Sequence, residues 1–494
     1  MRISRRAFLS GITATTAMPA LAAPPLVSLR PPPRPLDFQK HTLRPAADLV
    51  IEAALGGKTA FALADARTGE MLEVMNPVLA LPPASVTKAV TAVYALDALG
   101  PAHRFATRVI ATGPIRDGRV DGDLVLVGGG DPTLDTDALG DMARDLRAAG
   151  VTGVKGKFIV DASALPVIRE IDTLQPDHVG YNPAVSALNL NYNRVYFEWR
   201  PGTEGYTVRM DARAERFNPE VAIARMRVVD RDLPVYTYAD QGGADNWTVA
   251  QSALGNGGSR WLPVRKPDLY AADVFRTLAR AQGVALPPAV VAEVPTAGTT
   301  LVTRESEPLQ EILRGMLRWS TNLTAEVVGL AATAARGGDG ATLVGSGAEM
   351  AAWMKAGLGA RRPVFVDHSG LGDRSRISPG DMVRALVAVG PDGPLLPILK
   401  DFPLRDDDGA PLPGGAVQVH AKTGTLNFVS ALAGFMTARD GRELAFAIFS
   451  ADMPRRDALA PEERERPVGA RSWASRARNM QRALIERWAE AHVA

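Results

Sequence analysis

The spacing of apolar residues along this chain changes several times, and each change predicts an element. Residues 59–65 form a short apolar run, and 69–74 could supply its hairpin partner. After Pro82-Pro83 the period becomes helical, with Val86, Val90, Val93, Leu96 and Leu99 as the apolar set. From 101 to 300 the texture differs. Strand-like runs at 108–111, 123–127, 156–160, 195–199, 207–210 and 222–229 alternate with turns such as Asp117-Gly118 and Asp121-Gly122. This stretch is expected to form one or two small β-rich units. Helical periodicity returns at 309–319 and 323–334, with shorter helices expected at 349–356 and 379–387. A strand pair at 417–421 and 429–437 precedes a third strand at 443–450. The tail from 472 to 491 spaces Trp473, Ala477, Met480, Leu484 and Trp488 as one helical face, which should pack back on the sheet. The pattern is that of an α/β core interrupted by a long insertion.

Composition adds limits. The 494 residues, 46% hydrophobic and 22% charged, suffice for a large core and more than one domain. With no cysteine, disulfides, thiolate catalysis and cysteine metal sites are excluded. The net charge of +2 depends on Arg2, Arg5 and Arg6; without residues 1–22 it is −1, which offers nothing for nucleic acid. Those 22 residues combine a basic start, a modestly apolar middle and Ala20-Leu21-Ala22, as a cleavable export signal does. Ser4-Arg5-Arg6-Ala7-Phe8-Leu9 has the look of a twin-arginine signal, an ordinary secretory signal being the alternative. The proline-rich residues 23–35 would be a linker. No later segment has the character of a transmembrane helix, so soluble periplasmic residence is expected.

Three separated motifs carry candidate chemistry. In Ser85-Val86-Thr87-Lys88, the serine sits near a predicted helix start and the lysine lies one turn along the same face. A serine hydroxyl needs a neighbour to take its proton, and a desolvated lysine can do so. Alone, the pair fits a helix cap and a surface lysine equally well. Ser320-Thr321-Asn322 lies between two helical runs and also suits an N-cap. Lys422-Thr423-Gly424-Thr425 lies in a strand context, where Gly424 would admit close approach of a ligand backbone and Lys422 would meet a carboxylate; a strand, a turn and an exposed lysine would read the same. The six histidines are scattered and suggest no metal site, and Gly128-Gly129-Gly130 lacks the residues of a phosphate loop. No cofactor is expected.

In this order, S-x-x-K, S-x-N and K-T-G are the signature of penicillin-reactive serine enzymes, with Thr321 where aspartate is common. The chain resembles the low-molecular-mass class C penicillin-binding proteins, the D-alanyl-D-alanine carboxypeptidase/endopeptidase family. The 235 positions from Ser85 to Ser320 match that family's large insertion, which β-lactamases lack. Gly128–Leu134, Val160-Asp161-Ala162-Ser163, Asp367-His368-Ser369-Gly370-Leu371 and Ser378-Pro379 also fit.

The resemblance implies a fold and a set of roles. Residues 23–100 and 301–494 would form one discontinuous transpeptidase-like, β-lactamase-like α/β domain, and 101–300 two β-rich inserted domains, one nested in the other. Ser85 would attack the penultimate D-alanine carbonyl of a peptidoglycan stem peptide, with Lys88 as base. Ser320 would relay a proton with help from Lys88 and Lys422, and Asn322 would hold the substrate amide. The N–H groups of Ser85 and Thr425 would form the oxyanion hole. Lys422, Thr423, Gly424 and Thr425 would hold the terminal carboxylate. β-Lactams would acylate the same serine. Asp161 would meet the amine of a diaminopimelate side chain. Its carboxylate should meet an arginine, but Asp373 stands at that arginine's place and Arg374 follows one position late. Asn427 and Phe428 replace the usual small residues nearby. Rival readings are a β-lactamase or D-amino-acid esterase, and a wall-binding or scaffolding protein with a vestigial site. The sequence does not set the oligomeric state.

Overall fold

The computed structural model describes residues 43–203, 205–294, 297–403, 417–438, 440–460 and 463–491. The export signal at 1–22 and the linker at 23–35 lie outside the described residues. The described residues from Arg44 onward form one compact unit.

Its frame is a six-stranded antiparallel sheet that joins the two ends of the chain. Lys58–Asp65 is flanked by Met71–Met75 and Glu443–Ala451, followed in order by Val429–Thr437, Gln418–Leu426 and Lys400–Asp401. Successive strand side chains point to opposite faces, and Lys58–Asp65 shows what each face needs. Phe61 and Leu63 join a core with Phe446, Ile448 and the C-terminal helix Ala470–Ala491. Ala60, Ala62 and Ala64 face the other way, where small side chains let the helical layer approach. That layer includes Thr87–Leu99, Leu309–Trp319, Asn322–Ala335, Leu343–Leu358 and Pro379–Val389. The predicted tail helix does pack on the sheet. Trp488 lies edge-on to Phe61 at 5.6 Å, and Nε1 donates to Glu73 Oε2 at 3.0 Å.

Residues 106–305 carry four further sheets. A five-stranded one has the order Ala289–Val291, Phe158–Asp161, Leu124–Val127, Ala106–Ala111, Thr299–Glu305, and the other three have three strands each. The β-rich expectation for this region is incomplete. Two amphipathic helices, Thr136–Ala148 and Pro267–Ala281, also lie here and pack together. The signals for them were present: Asp135 caps the first through Ala138 N at 2.8 Å, and Pro267 opens the second. The glycine run is a packing device, since a Cβ on Gly129 would lie 2.2 Å from the Ala106 carbonyl oxygen. The core of this region also takes in Leu323, Val327 and Leu330, so helix Asn322–Ala335 is packed on two sides.

Candidate active site

Ser85 occupies a single 3-10 turn, Ala84–Val86, directly ahead of helix Thr87–Leu99. Ala84 has φ +46°, a left-handed conformation that costs a non-glycine residue about 1–2 kcal/mol. Two glycines close in on this turn. A Cβ on Gly370 would lie 1.8 Å from the Ala84 carbonyl oxygen; one on Gly424 would lie 2.6 Å from the Pro83 oxygen and 3.0 Å from Ser85 N. The close approach that Gly424 permits in this structure is to the serine's own turn.

Lys88 is fully buried, with Nζ 3.0 Å from Ser85 Oγ, 2.8 Å from Asn322 Oδ1 and 2.7 Å from the Ser369 carbonyl oxygen. An ammonium donates to all three. A neutral amine has two N–H groups and one lone pair. The carbonyl can only accept, and Asn322 is oriented by its own Nδ2, which donates to the Tyr181 carbonyl oxygen at 2.9 Å. The lone pair is then left for the Ser85 proton. Burial, then the nearby Lys422 charge, pulls Lys88 down to about 7, against the opposing influence of Glu326 and Asp367. Such a group is poised to accept a proton near neutrality.

Ser320 ends helix Leu309–Trp319 at φ +58° and ψ +39°, and Thr321 starts Asn322–Ala335 without a side-chain cap bond. This sharp turn brings Ser320 and Asn322 to the cleft that Ser85 and Thr425 also line. Lys422 is buried in strand Gln418–Leu426; Nζ donates to the Thr423 carbonyl oxygen at 2.7 Å, and burial, with Lys400, lowers it to about 8. Thr423 and Thr425 are exposed. Beyond His420 and Ala421, which pair with Asp401 and Lys400, the strand has no neighbour on that edge among the described residues. An open edge can take an extended peptide as a further strand. The cleft measures about 770 Å³.

The profile of the D-Ala-D-Ala carboxypeptidase 3 (S13) family matches residues 46–472. The chain belongs to that family. It is thereby a serine-type D-alanyl-D-alanine carboxypeptidase acting on peptidoglycan. It is 25% identical to D-alanyl-D-alanine carboxypeptidase DacB of Haemophilus influenzae over 82% of this chain and 87% of that one. It is 29% identical to the D-alanyl-D-alanine carboxypeptidase of an Actinomadura species, over 82% and 80%. The fold is similar to the crystal structure of penicillin binding protein 4 from H. influenzae, with TM-score 0.71 and 22% identity over 90% of this chain and 99% of that one.

The residues expected to read the substrate side chain fare differently in this S13 chain. Asp161 does not line the Ser85 cleft. It lies in a separate cavity with Arg108 and Glu293, and its carboxylate accepts from Ser163 N at 2.9 Å and Val294 N at 3.1 Å, holding a turn. Arg374 is exposed and lines a neighbouring pocket, also outside the cleft. The arginine that enters beside Asp373 is Arg456, whose Nε donates to Asp373 Oδ2 at 3.0 Å and Nη1 to the Asn427 carbonyl at 3.1 Å. Asn427 does line the cleft, and its Nδ2 donates to the Arg464 carbonyl at 2.5 Å. Phe428 is buried. His368 is a core residue, with Nε2 2.7 Å from Ser346 Oγ, and burial takes it down to about 3. His420 meets Asp401 at 3.0 Å.

Other cleft residues gave no signal in the sequence. Glu465 takes Nε2 of His178 at 2.8 Å and Nη2 of Arg260 at 2.9 Å. The hydrogen bond from His178 is the main reason its carboxyl falls to about 2. Arg471 and Arg478, seven apart on helix Ala470–Ala491, line the cleft with no hydrogen bond or ion pair among the described residues.

Proposed function

We propose that Ser85 is the acylated nucleophile and Lys88 its base, and that the enzyme removes the terminal D-alanine of stem peptides and also cuts D-alanine–diaminopimelate cross-links. The observation that carries this reading is the three-acceptor setting of Lys88 Nζ, which leaves its free-base lone pair to Ser85. The Ser85 proton moves to Lys88 as Oγ attacks the penultimate D-alanine carbonyl. The oxyanion is met by the N–H groups of Ser85 and Thr425. Ser320 and Lys88 return a proton to the leaving amine, and water then hydrolyses the ester. Lys422, Thr423 and Thr425 take the terminal carboxylate along the open strand edge. Arg471 and Arg478 supply positive charge for the carboxylates of the stem. The two relatives compared above are D-alanyl-D-alanine carboxypeptidases, which supports the release of the terminal D-alanine.

A scaffolding role leaves the desolvated lysine beside a serine without purpose. A β-lactamase would turn penicillin over rapidly, whereas this reading predicts a slowly hydrolysed acyl-enzyme. Ser85→Ala should abolish labelling by fluorescent penicillin while the circular dichroism spectrum and melting temperature stay those of the wild type; a labelled variant would exclude Ser85. Mass spectrometry of muropeptides after digestion should show both terminal D-alanine release and loss of cross-linked dimers.

We propose further that the segments expected at 23–100 and 301–494 form one catalytic domain with 101–300 inserted, the second boundary moving to about 305 because strand Thr299–Glu305 pairs with Ala106–Ala111. Support comes from the six-stranded sheet, which takes strands from both segments and none from between them. Residues 1–22 would direct export to the periplasm by the twin-arginine route. No helix among the described residues is long and apolar enough to cross a membrane.

A further inference from the structure

Glu326 is a carboxylate with no accessible surface, four residues after Asn322 on helix Asn322–Ala335, and no step above uses it. Its Oε2 accepts from His368 N and its Oε1 from Ser369 N, both at 2.9 Å. The carbonyl of that same Ser369 is the acceptor for Lys88 Nζ at 2.7 Å. Two further contacts fix the loop. Thr91 Oγ1 donates to the His368 carbonyl at 2.7 Å, and the His368 ring lies so close over Gly329 that a Cβ there would be 2.1 Å from it. Asp367 accepts from Gly370 N at 2.7 Å and Gly372 N at 2.6 Å.

We propose that Glu326 is a positioning residue for acylation: by holding the 368–369 backbone it keeps the Ser369 carbonyl on Lys88 and so aims the amine lone pair at Ser85. One helix then sets both fixed acceptors of Lys88, Asn322 directly and Ser369 through Glu326. If the Ser369 carbonyl turns away, one Lys88 N–H loses its acceptor and competes with the lone pair for Ser85 Oγ. The role needs the ionised form, because both oxygens accept N–H bonds. Burial, then the neighbouring Asp367, raises the Glu326 carboxyl well above the usual carboxylate range against the pull of the Ser369 and His368 hydrogen bonds and of Lys88, so the acid limb of acylation reports Glu326 and Lys88 together. The charged groups facing this cluster are Lys88, Lys422 and Asp367, with Asp172 reaching Asp367 from the inserted region.

This rests on the assignment of Ser85 and Lys88 above, so the test begins with wild-type acylation by fluorescent penicillin. Failure there would remove that assignment, not the role of Glu326 specifically. Stopped-flow acylation rates from pH 5 to 10 are then compared with Glu326→Gln and Glu326→Asp, alongside thermal melts. Glu326→Gln turns an amide N–H toward one of the two backbone donors and removes a negative charge from beside Lys88. Its plateau rate should fall by about 100-fold, the scale of a 1 Å misplacement, and its acid limb should move below that of the wild type. Glu326→Asp keeps the charge but is too short to span both N–H groups. It should lose rate with the limb unmoved, and it decides the matter alone if the glutamine variant does not fold. A folded variant that acylates at the wild-type rate with the wild-type limb, even one of lowered melting temperature, would reduce Glu326 to a structural part and overturn the proposal.

Discussion

Lys88 and Gly424 show how single residues control this site. Because the free base of Lys88 is the reactive form and burial brings it to about 7, acylation should rise with pH through about 7 and level off above it. A penicillin acylation profile measured from pH 5 to 9 checks this; an acid limb near 10, that of an ordinary lysine, would contradict a desolvated base. Gly424→Ala would push a methyl toward the Pro83 oxygen, a backbone atom that cannot swing aside. The expected cost is about 1–3 kcal/mol, seen as a lower melting temperature, with slowed acylation because the Ser85 turn must move. Residue types announced part of this chemistry: Ser85, Ser320 and Asn322 line one cleft, Lys88 lies within hydrogen-bond reach of Ser85 and Asn322, and Lys422 is buried close enough for its charge to bear on Lys88. The Ser369 and Tyr181 acceptors were out of reach, because they are backbone carbonyls that any residue could have supplied. Arg456 was missed for another reason. It comes from a segment 83 positions beyond Asp373, and nothing in the local spacing around Asp373 points there.

Elements read from apolar period came through where the period was strong. The hairpin at 58–75, the helix after Ser85 and the tail helix all formed within a few residues of expectation. Helix Leu343–Leu358 begins six residues before the expected 349, where Thr342 caps it through Gly345 N at 3.0 Å. Helix Thr136–Ala148 was overlooked for a physical reason as well. It carries Gly140 in its middle, a poor helix former, kept because the Phe217 ring leaves no room for a side chain. The tail helix is anchored by its tryptophans. Trp488→Ala should leave a cavity between helix and sheet and lose about 3–5 kcal/mol, measurable by urea unfolding. Since Trp488 is remote from the Lys88 hydrogen bonds, acylation of the remaining folded fraction should be unchanged.

For the molecule as a whole, the cleft is shared property. The inserted region contributes Leu174, Gln175 and Tyr181 to its wall, and the chain near its end contributes Arg464, Glu465, Arg471 and Arg478. Among the described residues, the last two arginines have no hydrogen bond or ion pair, and neither has Asp457 of the same wall. Arg471→Glu combined with Arg478→Glu should raise KM for anionic stem pentapeptides by about tenfold or more, while acylation by a small penicillin changes little. Equal losses on both would place the arginines outside substrate recognition. The Glu465 contacts to His178 and Arg260 and the Arg464 contact to the Leu174 carbonyl tie the two sides together.

The hydrogen bond from Asn322 to the Tyr181 carbonyl joins residues 141 positions apart. Its effect is temporal as much as geometric. A nascent or damaged chain whose middle third has not folded leaves Asn322 free to rotate and Lys88 with the Ser369 carbonyl as its one fixed acceptor. Such a chain would be silent rather than a loose wall-cutting hydrolase.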